Sequence, residues 1–219
     1  MAMPNKQFEM IKQLLPSDII NIILQYSGNK IIIKLQDYFP DSLKYITINE
    51  EELDMINRDN YQYIRKLECD WSVKITDTAL RHWSELSYLD CSWCPTISDN
   101  SIRHLTQLTY LNCGSCQNIT DDGIKYLTKL TQLNCYDCPN ITDNGIQHLT
   151  QLTRLNCSGC KKITDNGIRH LIQLLNLYCT NCLDITDNGI QHLTQLTKLD
   201  CRYYKNITNE MQKLIKNRN

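Results

Sequence analysis

Twelve cysteines form a regular array whose spacing fits the ligands of a zinc site. Cys91 and Cys94 make one Cys-x-x-Cys pair, and Cys113 and Cys116 make the next, as in zinc ribbons. The pair recurs through Cys182, although one tetrahedral site needs far fewer thiolates. We therefore predict that the cysteines are buried as small apolar side chains with a weak S–H donor, and that no metal is bound. A zinc site is the alternative.

The five histidines also share one position of a repeated pattern: His82, His104, His148, His170 and His192. A column of imidazoles could bind metal or change its charge with pH. We expect instead a half-exposed position on the outer surface that duplication copied. Outside the pattern there is no glycine-rich phosphate loop, no pair of catalytic carboxylates and no nucleophile–base motif. The sequence thus predicts a protein that is not an enzyme and that has no cofactor.

These residues belong to a block of roughly 22 residues that repeats without a gap from Ile64 onward. It reads Leu-x-x-Leu-x-Cys-x-x-Cys-x-x-Ile-Thr-Asp-x-Gly-Ile-x-His-Leu-Thr-Gln, and its copies open at Ile64, Leu86, Leu108, Leu130, Leu152, Leu174 and Leu196. The alternation in Leu-x-x-Leu-x-Cys predicts a short parallel strand with one buried face. A single repeat cannot bury enough apolar surface to fold alone, so the pattern predicts a solenoid of stacked repeats.

The second part of the block, Ile-Thr-Asp-x-Gly-Ile-x-x-Leu, predicts a short helix. Its apolar residues, such as Ile124 and Leu127, should bury the inner side of that helix. Aspartate follows the first threonine, where the helix dipole favours a negative charge. The predicted N-caps are Thr120, Thr142, Thr164 and Thr186.

The pattern resembles the cysteine-containing leucine-rich repeat, the class found in F-box/leucine-rich-repeat proteins, over residues 64–219. The resemblance implies an α/β fold, a right-handed solenoid with parallel strands inside and short helices outside. We expect a helical F-box-like module over 8–42 and a degenerate first repeat or connection over 43–63. Seven repeats should follow over 64–207. A capping helix over 208–219 should turn Met211, Leu214 and Ile215 inward.

The N-terminal module carries a second resemblance. The segment from Leu15 to Gly28 reads as a helix with only a narrow polar stripe, so it needs burial on more than one side. Its Leu-Pro-x-Asp-Ile-Ile-x-x-Ile-Leu-x-Tyr motif resembles the opening of an F-box, which docks on a Skp-type linker protein. The residues implied to contact the linker are Leu15, Pro16, Ile19, Ile20, Ile23, Leu24 and Tyr26. The alternative is a cap that closes the open end of the first coil.

If the Leu and Cys side chains point inward, the residues between them face outward onto the concave side of the sheet. These positions collect aromatic and charged residues, which is the composition of binding hot spots. The alternative is that some rings, notably Trp71 and Tyr203, only cover gaps at the first and last coils. The residues expected to bind a protein substrate are Trp71, Tyr88, Asp90, Trp93, Tyr110, Tyr136, Arg154, Tyr178, Lys198 and Tyr203.

Charge and targeting limit the partners and the compartment. The net charge of −1 gives no basic footprint for nucleic acid or for an anionic membrane. No signal peptide or membrane span is evident, which predicts a cytoplasmic or nuclear protein with reduced thiols. The resemblance implies a substrate-recognition adaptor of a Skp–cullin–F-box type ubiquitin ligase. Its partners would be the Skp-type linker protein, the cullin ligase core and an unidentified protein substrate. The alternative is a stand-alone leucine-rich-repeat interaction or inhibitory module whose N-terminal helices only cap the solenoid.

Overall fold

The computed structural model describes residues 47–49, 58–202 and 206–218. In this part of the chain eight parallel strands form one sheet, and their order in the sheet follows the sequence. Neighbouring strands pair in a constant register, so that Leu67 lies beside Leu89 and Leu89 beside Leu111. The strands are β1 (Thr47–Asn49), β2 (Lys66–Glu68), β3 (Tyr88–Asp90), β4 (Tyr110–Asn112), β5 (Gln132–Asn134), β6 (Arg154–Asn156), β7 (Asn176–Tyr178) and β8 (Lys198–Asp200). Each repeat contributes one strand, which pairs with the strand of the next repeat. The predicted α/β solenoid is therefore confirmed.

Short helices connect the strands on the opposite side of the solenoid. Six of them have four residues each: α1 (Asp77–Leu80), α2 (Asp99–Ile102), α3 (Asp121–Ile124), α4 (Asp143–Ile146), α5 (Asp165–Ile168) and α6 (Asp187–Ile190). A 3-10 helix (Arg58–Tyr63) precedes β2, and a longer helix α7 (Asn209–Lys216) follows β8. No helix within the described ranges is long and apolar enough to cross a bilayer.

The helices begin where the threonine caps predict, but they end earlier than the apolar spacing predicts. The hydroxyl of Thr142 accepts a hydrogen bond from the backbone N–H of Asn144, and the other three predicted caps do the same. Helix α3 ends at Ile124, so Leu127 belongs to the turn that follows it. Leu127 is nevertheless fully buried, because the turn folds back over the core.

The core is a continuous set of stacked leucine, isoleucine and cysteine columns. Leu89, Leu111 and Leu133, which follow one another across the sheet, are at most 1% exposed. At the N-terminal end Trp83 takes the place of a column leucine, and its ring meets that of Tyr61 edge-on, with the centroids 5.3 Å apart. Stacking of identical layers thus supplies the apolar contacts that one repeat lacks.

Helix α7 covers the last coil with two of the three residues predicted to face inward. Ile215 is buried and Met211 packs against the core, but Leu214 is 51% exposed, so its predicted inward orientation was wrong. Leu214 precedes Ile215 by one residue, which turns it roughly 100° away around the helix. The Arg218 guanidinium donates to the carbonyl oxygen of Leu193 at 2.7 Å and so satisfies a backbone acceptor of that coil.

A second set of contacts links successive helices. The carboxylate of Asp121 accepts hydrogen bonds from the backbone N–H and the hydroxyl of Thr142 in the next repeat, both at 2.7 Å. Equivalent pairs are Asp77 with Ser98, Asp99 with Thr120, Asp143 with Thr164, Asp165 with Thr186 and Asp187 with Thr208. Each aspartate therefore fastens one repeat to the next, a role beyond the predicted response to the helix dipole.

Candidate binding surface on the concave face

The turns after strands β2 to β7 shape the concave surface, because the second residue of each turn adopts a left-handed backbone conformation. The residues at this left-handed position are Trp71, Trp93, Ser115, Asp137, Asn181 and Gly159, with φ between 52° and 82°. The neighbouring repeat imposes the conformation, since the N–H of Trp93 donates to the carbonyl oxygen of Gly114 at 2.9 Å. Glycine, asparagine and aspartate adopt this region readily, whereas bulky residues rarely do. Two tryptophans at this position are therefore unusual, and nothing in the sequence pattern predicted the turn geometry.

Trp71 and Trp93, the tryptophan pair, lie on neighbouring repeats with their rings face to face. The ring centroids are 4.5 Å apart and the planes differ by 4°. Trp71 is 65% exposed and Trp93 is 46% exposed. Side chains this exposed do not fill a gap in the first coil, so the gap-covering alternative does not account for Trp71. The acidic side chains of Glu68 and Asp70, both exposed, precede Trp71 in the chain.

A second stacked pair, Tyr88 and Tyr110, lies on strands β3 and β4. Their ring centroids are 4.2 Å apart and the planes differ by 6°. Burial, the neighbouring Tyr110 ring and the nearby carboxylates raise the pKa of Tyr88 well above its ordinary value. The Tyr88 hydroxyl therefore stays protonated at neutral pH, and it lies 3.5 Å from a carboxylate oxygen of Glu68.

Strands β6 to β8 carry a cationic site, which consists of Arg154, Tyr178 and Lys198. The Arg154 guanidinium carbon lies 5.2 Å from the centroid of the Tyr178 ring, and the Lys198 ammonium lies 5.3 Å from it. Both cationic side chains are exposed, and no carboxylate of the described residues forms an ion pair with either one. The acid nearest in register, Asp200, is bound by the Arg202 guanidinium at 2.9 and 2.8 Å.

An open cleft of about 590 Å³ lies beside the cationic site. Tyr136 and Tyr178 line it, together with small polar residues and the charged side chains of Asp137, Asp200 and Arg202. Gly159 contributes no side chain where neighbouring repeats carry Asp137 and Asn181, which is why the surface is hollow here. The small residues in the cleft are Asn156, Ser158, Gly159, Thr180 and Asn181.

Asp90, predicted to bind substrate, is occupied by structural contacts. One carboxylate oxygen accepts from the N–H and the hydroxyl of Ser92, at 3.1 and 2.7 Å. The other oxygen accepts from the amide of Asn112 at 2.8 Å. In the same position of later repeats the side-chain oxygen of Asn134 accepts from the N–H of Tyr136 at 3.2 Å. In these repeats the strand position therefore holds the turn that follows it, including the turn that places Trp93, a role that sequence reasoning missed.

Six of the ten predicted concave-face residues lie in strands and alternate with buried leucines, so they face the same side of the sheet: Tyr88, Asp90, Tyr110, Arg154, Tyr178 and Lys198. Trp71, Trp93 and Tyr136 lie in the turns that follow the strands. Tyr203 lies outside the described residues. So do the seven residues predicted to contact a linker protein, from Leu15 to Tyr26. Their role stays a prediction.

The cysteines line the core, as predicted. All twelve are free thiols, and all except Cys201 are buried. The thiol of Cys116 donates to the carbonyl oxygen of Cys91 at 3.1 Å, and equivalent bonds recur in the neighbouring repeats. The Sγ atoms of Cys135 and Cys160 are 3.9 Å apart. Among the described residues no group of three or more His, Cys, Asp or Glu side chains could hold a metal ion.

The environment of the strand cysteines keeps them protonated. An adjacent thiol, and then burial, raise the pKa of each strand thiol well above its ordinary value in Cys91, Cys113, Cys135 and Cys157. Burial does the same to the pKa of Cys179. The histidine column is exposed on the helical side.

Comparison with known proteins supports the fold. No protein-family model and no curated protein matches the chain. Among solved structures it is similar to the internalin InlF of Listeria monocytogenes, with a TM-score of 0.56 and 20% identity over 84% of this chain and 54% of that one. The functional domain of InlJ from the same bacterium, which includes a cysteine ladder, gives a TM-score of 0.54 and 27% identity over 76% of this chain and 36% of that one.

A chain of the yeast Rad7 and Elc1 complex is also similar, with a TM-score of 0.54 and 16% identity over 85% of this chain and 64% of that one. This chain therefore spans about half the length of InlF and about a third of the InlJ chain. Taken with the register of the sheet and the stacked leucine columns, these similarities identify the fold as an α/β leucine-rich-repeat solenoid.

Proposed function

We propose that the chain is a protein-interaction module whose concave face binds a partner protein. The tryptophan pair carries this proposal. A bulky residue in the left-handed region costs about 1–2 kcal/mol, and residues such as Asn181 and Gly159 avoid much of that cost at the same position. Because Trp71 and Trp93 are exposed, burial does not offset the strain. Residues held in a strained backbone conformation are typical of functional sites.

The surrounding residues favour a protein over a nucleic acid as the partner. Exposed aromatic rings next to charges of both signs are the composition of protein-binding hot spots. The exposed carboxylates of Glu68 and Asp70 lie next to Trp71 in the chain, where they would repel phosphate groups. The Tyr88–Tyr110 stack extends the aromatic surface from the tryptophan pair toward the middle of the sheet.

We further propose that this module acts in the cytoplasm or nucleus as the substrate-recognition adaptor of a Skp–cullin–F-box type ubiquitin ligase. Two observations support the adaptor role: the F-box-like motif that opens at Leu15, and the similarity to a chain of the Rad7 and Elc1 complex, itself an assembly of two proteins. In this arrangement the N-terminal motif binds the Skp-type linker protein of the cullin ligase core. The solenoid holds the substrate at a set distance.

Two double variants of the full chain test the proposal by co-precipitation. Leu15→Ala/Pro16→Ala should abolish capture of the Skp-type linker protein and leave substrate binding intact. Trp71→Asn/Trp93→Asn should abolish substrate binding and leave capture of the linker protein intact, because asparagine suits the left-handed turn but presents no ring. His148→Ala on the exposed helical side is the matched control and should change neither interaction.

The adaptor role and the concave binding surface can be refuted independently. If the unaltered chain never captures the linker protein, the adaptor role is wrong and a stand-alone interaction or inhibitory module is the better description. If proteins captured by the unaltered chain remain bound to Trp71→Asn/Trp93→Asn, as identified by mass spectrometry, the concave face is not the binding surface.

A further inference from the structure

Charge is distributed unevenly along the concave face. At the N-terminal end Glu68 and Asp70 are exposed near the tryptophan pair, which we call the acidic end. The cationic site of Arg154, Tyr178 and Lys198 lies near the C-terminal end, four to five strands away. Between the two ends the strands present tyrosines and uncharged amides, such as Tyr110, Gln132 and Asn156, and the turn after β5 carries the exposed carboxylate of Asp137. Lys66 is also exposed on β2, so the acidic end carries two carboxylates against one ammonium, whereas the cationic site carries two cations.

The cationic site has the geometry of an incomplete charge cluster. Arg154 and Lys198 reach the same aromatic ring from the strands on either side of it, and two like charges around one ring repel each other. The Tyr178 ring attracts both cations through its π face but cannot neutralise them. Asp200 is held by Arg202, so it does not serve as the counter-ion. An external carboxylate placed between Arg154 and Lys198 would relieve the repulsion and complete the cluster.

The acidic end has the opposite requirement. Stacked indole rings offer an exposed π surface, and the carboxylates of Glu68 and Asp70 add negative charge close to it. This combination suits a lysine or arginine side chain, which gains both a cation–π contact and an ionic one. Asp90 is not free to contribute, since both of its carboxylate oxygens are occupied.

We propose, building on the proposed function, that the concave face binds an extended segment of the partner protein in one orientation. A basic side chain of that segment rests on the tryptophan pair beside Glu68 and Asp70, and an acidic side chain lies between Arg154 and Lys198. Neighbouring strands are about 4.8 Å apart, so four to five strands separate the two sites by about 20–24 Å. An extended chain spans this distance in about six or seven residues. The segment's backbone crosses the amide-rich middle of the sheet.

A random twelve-residue peptide library displayed on phage, selected on the full-length chain, tests the orientation. We expect the selected peptides to share a basic residue and an acidic residue about six or seven positions apart. A synthetic peptide with the selected sequence should bind Arg154→Glu/Lys198→Glu at least about tenfold more weakly, as measured by fluorescence anisotropy. Glu68→Lys/Asp70→Lys should cause a similar loss. Lys129→Glu, an exposed charge reversal away from the concave face, should leave the affinity within about twofold.

A charge-swapped peptide gives the sharpest comparison. Exchanging its basic and acidic residues should weaken binding to the unaltered chain, and combining all four charge reversals in the protein should restore it. Selected peptides without this polarity, or with affinities that the charge reversals leave unchanged, would overturn the inference.

Other outcomes separate this inference from the proposed function. Peptides that lose affinity only for Trp71→Asn/Trp93→Asn would leave concave-face binding in place and refute the charge polarity. Peptides that are indifferent to every concave-face variant would refute both. Recovery of no peptide, or tight binding of a labelled ten-nucleotide oligouridine in place of peptides, would also refute the extended-segment inference.

Discussion

Replacing Gly145 by alanine should destabilise the solenoid, although alanine is the better helix former. Gly145 lies in helix α4, and a Cβ atom built on it would be 2.5 Å from a carboxylate oxygen of Asp121 and 3.2 Å from the Cα of that residue. The carboxylate would have to turn away from its place between the repeats. It would then lose the two hydrogen bonds that it accepts from Thr142.

The expected loss follows from these contacts. Hydrogen bonds to a charged group contribute about 1.5–3 kcal/mol each, and the partly exposed site favours the lower part of that range. Alanine has a higher helix propensity than glycine, which recovers about 1 kcal/mol of the lost stability. The net loss in the free energy of unfolding should therefore be about 2–4 kcal/mol.

Urea unfolding followed by circular dichroism measures this difference, and two further variants sharpen it. Gly114→Ala is the matched control, because its Cβ would come no closer than 3.4 Å to any atom, and it should change the stability by less than about 1 kcal/mol. Gly145→Ser should be less harmful than Gly145→Ala although serine is larger. Ser101 already occupies the equivalent position in helix α2, where its hydroxyl donates to Asp77 at 2.7 Å.

A Gly145→Ala protein as stable as the unaltered chain would refute the role given to the Asp121–Thr142 contact. A serine variant less stable than the alanine variant would show instead that volume alone decides the outcome at this position.

Three further predictions concern the thiols and the tryptophan pair. The free energy of unfolding should keep its full value below about pH 8.5 and should fall as the pH rises above it, because the strand thiols have raised pKa values. Above about pH 8.5 the thiols of the unfolded chain ionise while those of the folded chain keep their protons. Urea unfolding at several pH values between about 8 and 10 measures how steeply the stability falls with pH, and Cys113→Ala should make that fall less steep; an unchanged dependence on pH would contradict this. Dithionitrobenzoate should modify Cys201 first in the folded chain, since the other thiols are buried; simultaneous reaction of all thiols below the unfolding transition would be inconsistent with the core. The free energy of unfolding of Trp71→Asn/Trp93→Asn should lie within about 1 kcal/mol of that of the unaltered chain. The substitution relieves about 1–2 kcal/mol of backbone strain per residue, and this gain offsets the loss of a ring stack worth about 0.5–1.5 kcal/mol and of the packing of the two rings. A loss above about 3 kcal/mol would assign the rings to the core instead.

Much of the architecture was predictable because the chain repeats itself. A column residue such as Leu111 meets its own equivalents, Leu89 and Leu133, on both sides, so an apolar residue that recurs in every repeat has to lie in the core. The threonine caps were equally predictable, since each bonds to a backbone N–H two residues along the same segment. The concave residues within the strands, such as Tyr88 and Tyr110, followed from the alternation of side chains along a strand.

Contacts between repeats were not predictable in the same way. The partner of Asp121 lies in the next repeat, and the local sequence around Asp121 is equally suited to a helix-dipole role. Leu214 shows the limit of helical periodicity as well: the pattern allowed it to face inward, but the contact with the last coil selected the face of Ile215.

The sequence by itself determined the period, the parallel sheet, the buried columns and the side of the sheet on which the aromatic residues lie. Only the tertiary structure decided that Trp71 and Trp93 adopt the left-handed conformation and stack, that Asp90 is occupied, and that Arg154 and Lys198 converge on Tyr178. The physical reason is the range of the forces involved. Strand alternation and capping act within a few residues. Turn conformation and side-chain convergence depend on how closely one repeat lies against the next, and on which polar atoms then meet.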